Sequence, residues 1–445
     1  MKTLTDIKPS YTGLFPKHFS NMMILFIVLL ISSCSTVRHT VRKDPDSIIH
    51  GYCHPDFTEV KDEFILNFQK RGEVGAACVV YYKGEKVVDL WGGYQNRRRK
   101  KPWDEHTMVV SYSLTKGISA VVLAIAKSRG YFDYDDQVAQ YWPEFARNGK
   151  ENITIRQLLN HEAGLCLPDE KVKPNKINDQ NYVSDVLSRQ KPQWEPGFKH
   201  GYHMYTLGFY MNEIMRRSDP VNRSIGQFLN EEVVKPQNLS FYIGLPDSIS
   251  DDRIARMIQI GPVNSLFNLA VIPRETRKQM FRMKSYLFQS FFILKHYDPN
   301  IRYPFLTVEI PSANGVGEVR AIAAIYGMMA MGGSELGIDE NTFNELTAPA
   351  SIPESGSMVD EVFKIETYYN LGFFKPGRYD FYASSERAFG HPGVGGSFSF
   401  ADPDKKLGYA YAMNKMSYYI KDDKREKKLR DAVYRSIDRV ESSEF

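Results

Sequence analysis

Residues 111–130 read SYSLTKGISAVVLAIAKSRG. Ile118, Val121, Val122, Leu123 and Ile125 make this stretch apolar on nearly every side before Gly130 stops it, which predicts a helix buried inside the protein rather than one lying on its surface. Its first turn carries Ser113, Leu114, Thr115 and Lys116. A serine and a lysine three apart share one helix face, so Lys116 is expected to reach Ser113. A lysine held among apolar neighbours loses its proton more readily and can serve as a base toward a hydroxyl. The helix N-terminus adds backbone N–H groups and the positive end of the dipole beside that hydroxyl. The same four letters also suit a serine that merely starts a helix and a lysine that points to water, so their surroundings decide.

Upstream, GAACVVYY and KVVDLWGGY flank a turn at Lys83, Gly84 and Glu85, with β-branched and aromatic residues on both arms, which predicts an antiparallel hairpin. Cys78 sits on the first arm and reads as a small core residue. Downstream, ITIRQLLNHEAGL is expected to be a short helix capped by Asn152, and GQFLNEEVVKP and RKQMFRMKSYLFQSFFILKHY two further helices. EVRAIAAIYGMMAM, residues 318–331, predicts another, ended by Gly332 and Gly333. Strand patterns return at YYNLGFF, GGSFSFADP and KLGYAYAMNK, the last two joined by a turn over residues 401–405, and a charged amphipathic helix over 422–440 closes the chain. The reading is an α+β fold: one antiparallel sheet built from both chain ends and flanked by helices, with a mostly α lobe inserted. The α/β part is placed at 47–131 and 312–445, and the helical lobe at 132–311.

The 445 residues include 42% hydrophobic, 13% aromatic and 25% charged residues, values of a folded body rather than of a disordered chain. The 57 Lys+Arg and 53 Asp+Glu leave only +4, with basic residues scattered apart from small clusters at 97–101 and 424–430, which argues against nucleic acid as partner. The four cysteines, Cys34, Cys53, Cys78 and Cys166, are too few and too far apart for a disulfide framework or a zinc ribbon. His200 and His203 have no nearby Cys or carboxylate to complete a metal set, so no metal or cofactor is expected. No G-x-S-x-G elbow occurs, which argues against an α/β-hydrolase.

The first 46 residues read as a leader and linker. MMILFIVLLI at 22–31 follows Lys2, Lys8 and Lys17 and precedes Ser32, Ser33, Cys34 and Ser35. Ten apolar residues span about 15 Å as a helix, roughly half a hydrocarbon core, so a signal peptide and an extracytoplasmic destination are the first reading. An uncleaved anchor, which would associate the chain with a membrane, and lipidation of Cys34 are the alternatives. Sequons at Asn152, Asn222 and Asn238 fit secretion and also arise by chance.

The motifs together resemble the serine β-lactamase-like family, in its branch of class C β-lactamases, penicillin-binding proteins and family VIII carboxylesterases. VSYSLTKGISAVVLAIAKSRG followed by ITIRQLLNHEAGL is similar to that family's nucleophile helix and the helix after it, and the likeness runs from about Gly51 to Asn414. The resemblance implies a β-lactamase/transpeptidase-like fold, with Ser113 as nucleophile and Lys116 as base. EPGFKHGYHMYTLGFYMNEIMRR resembles the segment bearing the second motif and implies Tyr202 as partner in the base role. Met204 replaces the asparagine that in β-lactamases helps hold the substrate amide, which counts against β-lactam turnover. The literal Tyr-x-Asn at Tyr368, Tyr369 and Asn370 precedes a strand and ranks below Tyr202.

FGHPGVGGSFSFADP resembles the third motif, with His391 and Gly393 beside the substrate and the N–H groups of Val394 and Ser113 forming an oxyanion hole. Ser312, Ala313, Asn314 and Gly315 are similar to a loop bordering the site. The reading is therefore a serine hydrolase of esters or amides, esterase-like, acting through an acyl-enzyme. β-Lactamase or D-amino-acid peptidase activity is the alternative within the enzymes, and a non-catalytic scaffold the alternative outside them. Oligomeric state is not encoded in any readable pattern.

Overall fold

The computed structural model describes residues 48–259, 269–293, 297–378, 382–420 and 422–443. They belong to one compact unit, Pro45–Phe445. The expected leader with its apolar run at 22–31 and Cys34 lies outside the described residues. Among those residues no helix is long and apolar enough to cross a membrane.

A nine-stranded antiparallel sheet forms the centre. Its strands are β1 (Ile49–Cys53), β2 (Gly75–Tyr82), β3 (Glu85–Asn96), the short β4 (Lys101–Pro102), β5 (Tyr369–Asn370), β6 (Phe373–Phe374), β7 (Phe389–Gly393), β8 (Ser397–Asp402) and β9 (Leu407–Met413), in the spatial order β1-β3-β2-β9-β8-β7-β6-β5, with β4 on β3. The predicted hairpin is β2–β3, and β2 pairs with β9 so that Cys78 lies opposite Tyr411. One sheet is thus built from both chain ends, as the sequence implies.

Helices cover both faces. Those that support the site are α1 (Thr58–Lys70), α2 (Leu114–Ser128), α3 (Ile155–Leu159), α4 (Thr206–Ser218), α5 (Arg274–Phe281), α6 (Tyr286–Phe291), α7 (Val319–Ala330) and α8 (Lys424–Ser443). Strand alternation sorts the core: Ala77 and Val79 of β2 and Ala410 and Ala412 of β9 face the main core with α2 and α7. Ala76, Cys78, Val80, Tyr409 and Tyr411 face a second cluster closed by α1 and α8. In α2 every residue from Leu114 to Ala126 is buried, as its all-round apolarity requires.

Several local expectations are corrected. Thr154, not Asn152, caps α3: its hydroxyl accepts the Gln157 N–H at 3.1 Å, and the Gln157 side chain accepts the Thr154 N–H in return, the reciprocal pattern that T-x-x-Q encodes. The stretch expected as one helix over 277–297 is broken, because the Ser285 hydroxyl takes the Phe288 N–H at 3.1 Å and starts α6 anew. The hairpin turn lies at 403–406 rather than 401–405, because Ala401 and Asp402 still pair in the strand. Strand β1 and helix α1, which no motif announced, complete the N-terminal side of the sheet.

Small residues on the α7 face of β9 let the helix approach the sheet closely. A Cβ at Gly408 would stand 2.3 Å from Gly327 N and 2.4 Å from Gly327 Cα. Gly408→Ala is therefore expected to force α7 away from the sheet and lower stability by at least ~2 kcal/mol. A thermal or urea midpoint equal to that of the unmodified protein would show that the contact tolerates a methyl group.

Candidate active site

The chain enters α2 through Tyr112, a non-glycine residue held at φ 47°, in the left-handed region. That turn leaves Ser113 half-buried at the N-cap position of α2 and on the wall of a cavity of about 670 Å³. Lys116, one turn on, is fully buried, and its Nζ lies 3.3 Å from Ser113 Oγ. The Tyr202 hydroxyl, from the turn before α4, donates to Ser113 Oγ at 2.9 Å. The structure therefore brings all three residues together, although Tyr202 is remote in the sequence.

Among the described residues Lys116 has no carboxylate partner. Its Nζ donates to Met204 O at 2.7 Å and to Ser312 O at 2.8 Å, and it lies 4.7 Å from the centre of the Tyr202 ring. Burial without a counter-ion holds its pKa well below the ordinary lysine value. A neutral amine has two N–H bonds and one lone pair. The two carbonyls take the N–H bonds, so the lone pair is left for Ser113 Oγ. Burial pushes the Tyr202 phenol the other way, above its ordinary value, so it stays protonated and keeps donating.

Both lysine-binding carbonyls are fastened by α2 and its surroundings. Ser119 Oγ donates to Pro311 O at 2.7 Å, Ser312 Oγ donates to Tyr205 O at 2.7 Å, and Thr115 Oγ1 accepts Gly315 N–H at 2.9 Å. The Ser312 loop thus borders the site as its resemblance implied, through a backbone oxygen.

Strand β7 runs alongside α2, and Gly393 and Val394 line the same cavity as Ser113. The N–H groups of Ser113 and Val394 have no acceptor among the described residues. Expected beside the substrate, His391 is instead buried behind the cavity. Its ring packs 6.0 Å from Tyr202 and 5.1 Å from Phe374, and its Nδ1 is 2.7 Å from Pro392 O. The reason is register: His391 meets α2 at Gly117, a turn beyond Ser113, and the strand reaches the nucleophile only at Gly393. Tyr368 lies off the cavity, its hydroxyl donating to Glu366 at 2.7 Å. His203 and His161 are structural: Leu165 N–H donates to His203 Nε2 at 2.7 Å, and His203 N–H donates to His161 Nδ1 at 3.0 Å.

Two supporting residues escaped sequence reasoning. Buried Asp360 accepts Tyr202 N–H at 2.9 Å, Val362 N–H at 2.7 Å, Phe363 N–H at 2.8 Å and the Tyr369 hydroxyl at 3.0 Å, fixing the backbone from which Tyr202 reaches Ser113. Arg425 of α8 donates to Gly395 O at 3.0 Å and to Asp423 Oδ2 at 2.8 Å, and Ser417 N–H also donates to Gly395 O, at 2.9 Å. That pins the turn next to Val394. Gly396 at φ +108° completes it, since a Cβ there would lie 2.2 Å from Asp423 Oδ2. Besides their local partners, Asp360 reaches the Tyr202 N–H and Arg425 the Gly395 carbonyl across long sequence distance, and no local spacing marks those roles.

A family model described as Beta-lactamase matches residues 60–434. The chain is 29% identical over 376 residues to the esterase/beta-lactamase LipL of Mycobacterium tuberculosis, covering 83% of each protein. Among solved structures, it is similar to a family VIII carboxylesterase at 35% identity and a TM-score of 0.75. It is also similar to a penicillin-binding protein homologue from Caulobacter crescentus at 34% identity and a TM-score of 0.76. Each likeness covers 87% of this chain and 99% of the other.

Asp360→Ala would leave several buried donors without an acceptor and is expected to lower stability by at least ~3 kcal/mol. A denaturation midpoint unchanged by the substitution would show that the Tyr202 segment stands without the carboxylate.

Proposed function

The chain belongs to the beta-lactamase family and is a serine hydrolase of its esterase-like kind, and from that premise we propose that Ser113, Lys116 and Tyr202 hydrolyse esters through an acyl-enzyme. Ser113 Oγ attacks the ester carbonyl while its proton passes to the Lys116 lone pair. The carbonyl oxygen, now negative, accepts from the N–H groups of Ser113 and Val394. The proton on Lys116 is relayed through the Tyr202 hydroxyl to the departing alkoxide, and the alcohol leaves. Water then gives a proton to the same pair as it attacks the acyl carbon, and the pair returns that proton to Ser113 Oγ as its bond to the acyl carbon breaks and the carboxylic acid leaves.

The observation that carries this reading is the set of hydrogen-bond partners at Lys116: two carbonyls occupy its N–H bonds, and Ser113 Oγ stands 3.3 Å from the nitrogen to meet what remains. Esters are favoured over amides and β-lactams because Met204 offers the cavity a thioether where an amide-binding side chain would be needed. A protein that only binds would have no use for an amine desolvated against a hydroxyl.

Ser113→Ala is expected to abolish both labelling by a fluorophosphonate probe and turnover of p-nitrophenyl esters, by at least ~10³-fold. The base works only when neutral, so kcat/KM should rise with pH through the Lys116 pKa. Since that pKa is depressed, the rise should lie well below the ordinary lysine value of 10.5. Lys116→Arg, protonated throughout, should remove this limb together with the activity. Full activity in Ser113→Ala would refute the assignment.

A further inference from the structure

Helices α5 and α6 form a hairpin that lines the cavity with one side and faces water with the other. On the inner side stand Thr276, Met280 and Leu287. Buried Thr276 donates to Phe363 O at 2.7 Å, and the Phe363 ring stacks on Tyr202, so the hairpin is fastened to the site. Ser285 Oγ donates to Gln279 O at 2.5 Å and closes the turn between the helices. On the outer side Phe281, Met283 and Phe292 are 66%, 74% and 47% exposed. Phe291 joins the two sides, since it lines the cavity and is itself exposed. Large apolar side chains are thus held in water by a fastened element beside the catalytic cavity, the kind of surface that marks an interaction site.

The hairpin's charge is nearly all of one sign. Residues 274–284 carry Arg274, Arg277, Lys278, Arg282 and Lys284 against a single carboxylate, Glu275. Glu275 lies 2.7 Å from Lys278 Nζ, and Arg277 donates to Leu269 O at 3.0 Å. Among the described residues nothing pairs with the side chains of Arg282 and Lys284. Phe281, Arg282, Met283 and Lys284 are all exposed, so apolar and cationic groups alternate along the turn. A second copy seated by two-fold symmetry would set these cations against themselves. Anionic headgroups above hydrocarbon take both kinds of side chain, each at its own depth. We propose that the α5–α6 hairpin docks the protein peripherally on an anionic lipid surface, with Phe281, Met283 and Phe292 entering the hydrocarbon and Arg282 and Lys284 staying at the headgroups. Such docking needs no spanning helix. It turns Phe291 and the cavity toward the lipid, so that esters dissolved there reach Ser113 without crossing water; that consequence rests on the serine-hydrolase reading, whereas the docking itself does not.

The full chain can be tested on vesicles of phosphatidylcholine with phosphatidylglycerol added. Phe281→Ser combined with Met283→Ser should weaken binding at least ~10-fold, with fluorophosphonate labelling of Ser113 reporting that the variant is folded. Added salt should weaken binding of the unmodified protein, because the cations at the headgroups are screened. Depth is read separately from attachment. The tryptophan of Met283→Trp, measured against the signal of the unmodified protein, should shift to the blue and be quenched by brominated lipid chains, whichever other segment touches the vesicle. An unquenched tryptophan on vesicle-bound protein, no binding to these vesicles, or an affinity untouched by the serine pair would overturn the proposal. Self-association in solution that the serine pair abolishes would assign the face to a second copy and overturn it too. Absence of labelling in the unmodified protein would instead remove the serine-hydrolase reading and leave the docking result standing.

Discussion

A lysine amine kept out of water with no carboxylate beside it is the constraint around which the site is arranged. A charged ammonium would be costly there, so the fold stabilises the neutral amine and supplies two carbonyls for its N–H bonds. Those carbonyls come from residues 204 and 312, and the third neighbour is Ser113 of the same helix. One nitrogen therefore ties together the segment before α4, the loop before α7 and the first turn of α2. If any of these drifted, the amine would gain water, recover its proton and cease to be a base.

Support for that arrangement is spread over the molecule. The all-apolar body of α2 is clamped between the sheet and the helical lobe, which fixes Ser113 and Lys116 from behind. Asp360 holds the Tyr202 backbone, and Arg425 holds the turn beside Val394. Arg425 is itself buried with Asp423 and with Glu73, which also receives the Tyr411 hydroxyl. Removing the arginine would leave those carboxylates uncompensated as well as freeing the turn.

What could be read from the sequence follows from how local each cause is. The spacing of Ser113 and Lys116 is a property of one helix turn, and the two hairpins are properties of alternation and turn chemistry. Tyr202 was placed by its likeness to a family segment; nothing in its own neighbourhood says that it meets Ser113. His391 was misplaced because a motif reports which strand passes the nucleophile, whereas the register along α2 decides which residue faces the cavity. Asp360 and Arg425 are invisible in the sequence because the partners that matter to the site, the Tyr202 N–H and the Gly395 carbonyl, meet them only in the tertiary fold. The break before α6 was missed because Ser285 competes with helix continuation inside an otherwise helical pattern.

The pairing of β2 with β9 sets an order of events during synthesis. Cys78 emerges early, but its partner Tyr411 lies near the other end of the chain. At roughly 5–20 residues per second the ribosome needs tens of seconds to deliver it. Throughout that interval the first hairpin has an open, apolar flank, the kind of surface that recruits other nascent chains. Shielding of that flank before release therefore bears on yield, and slow translation or scarce chaperone capacity would be felt there before it was felt in the finished enzyme.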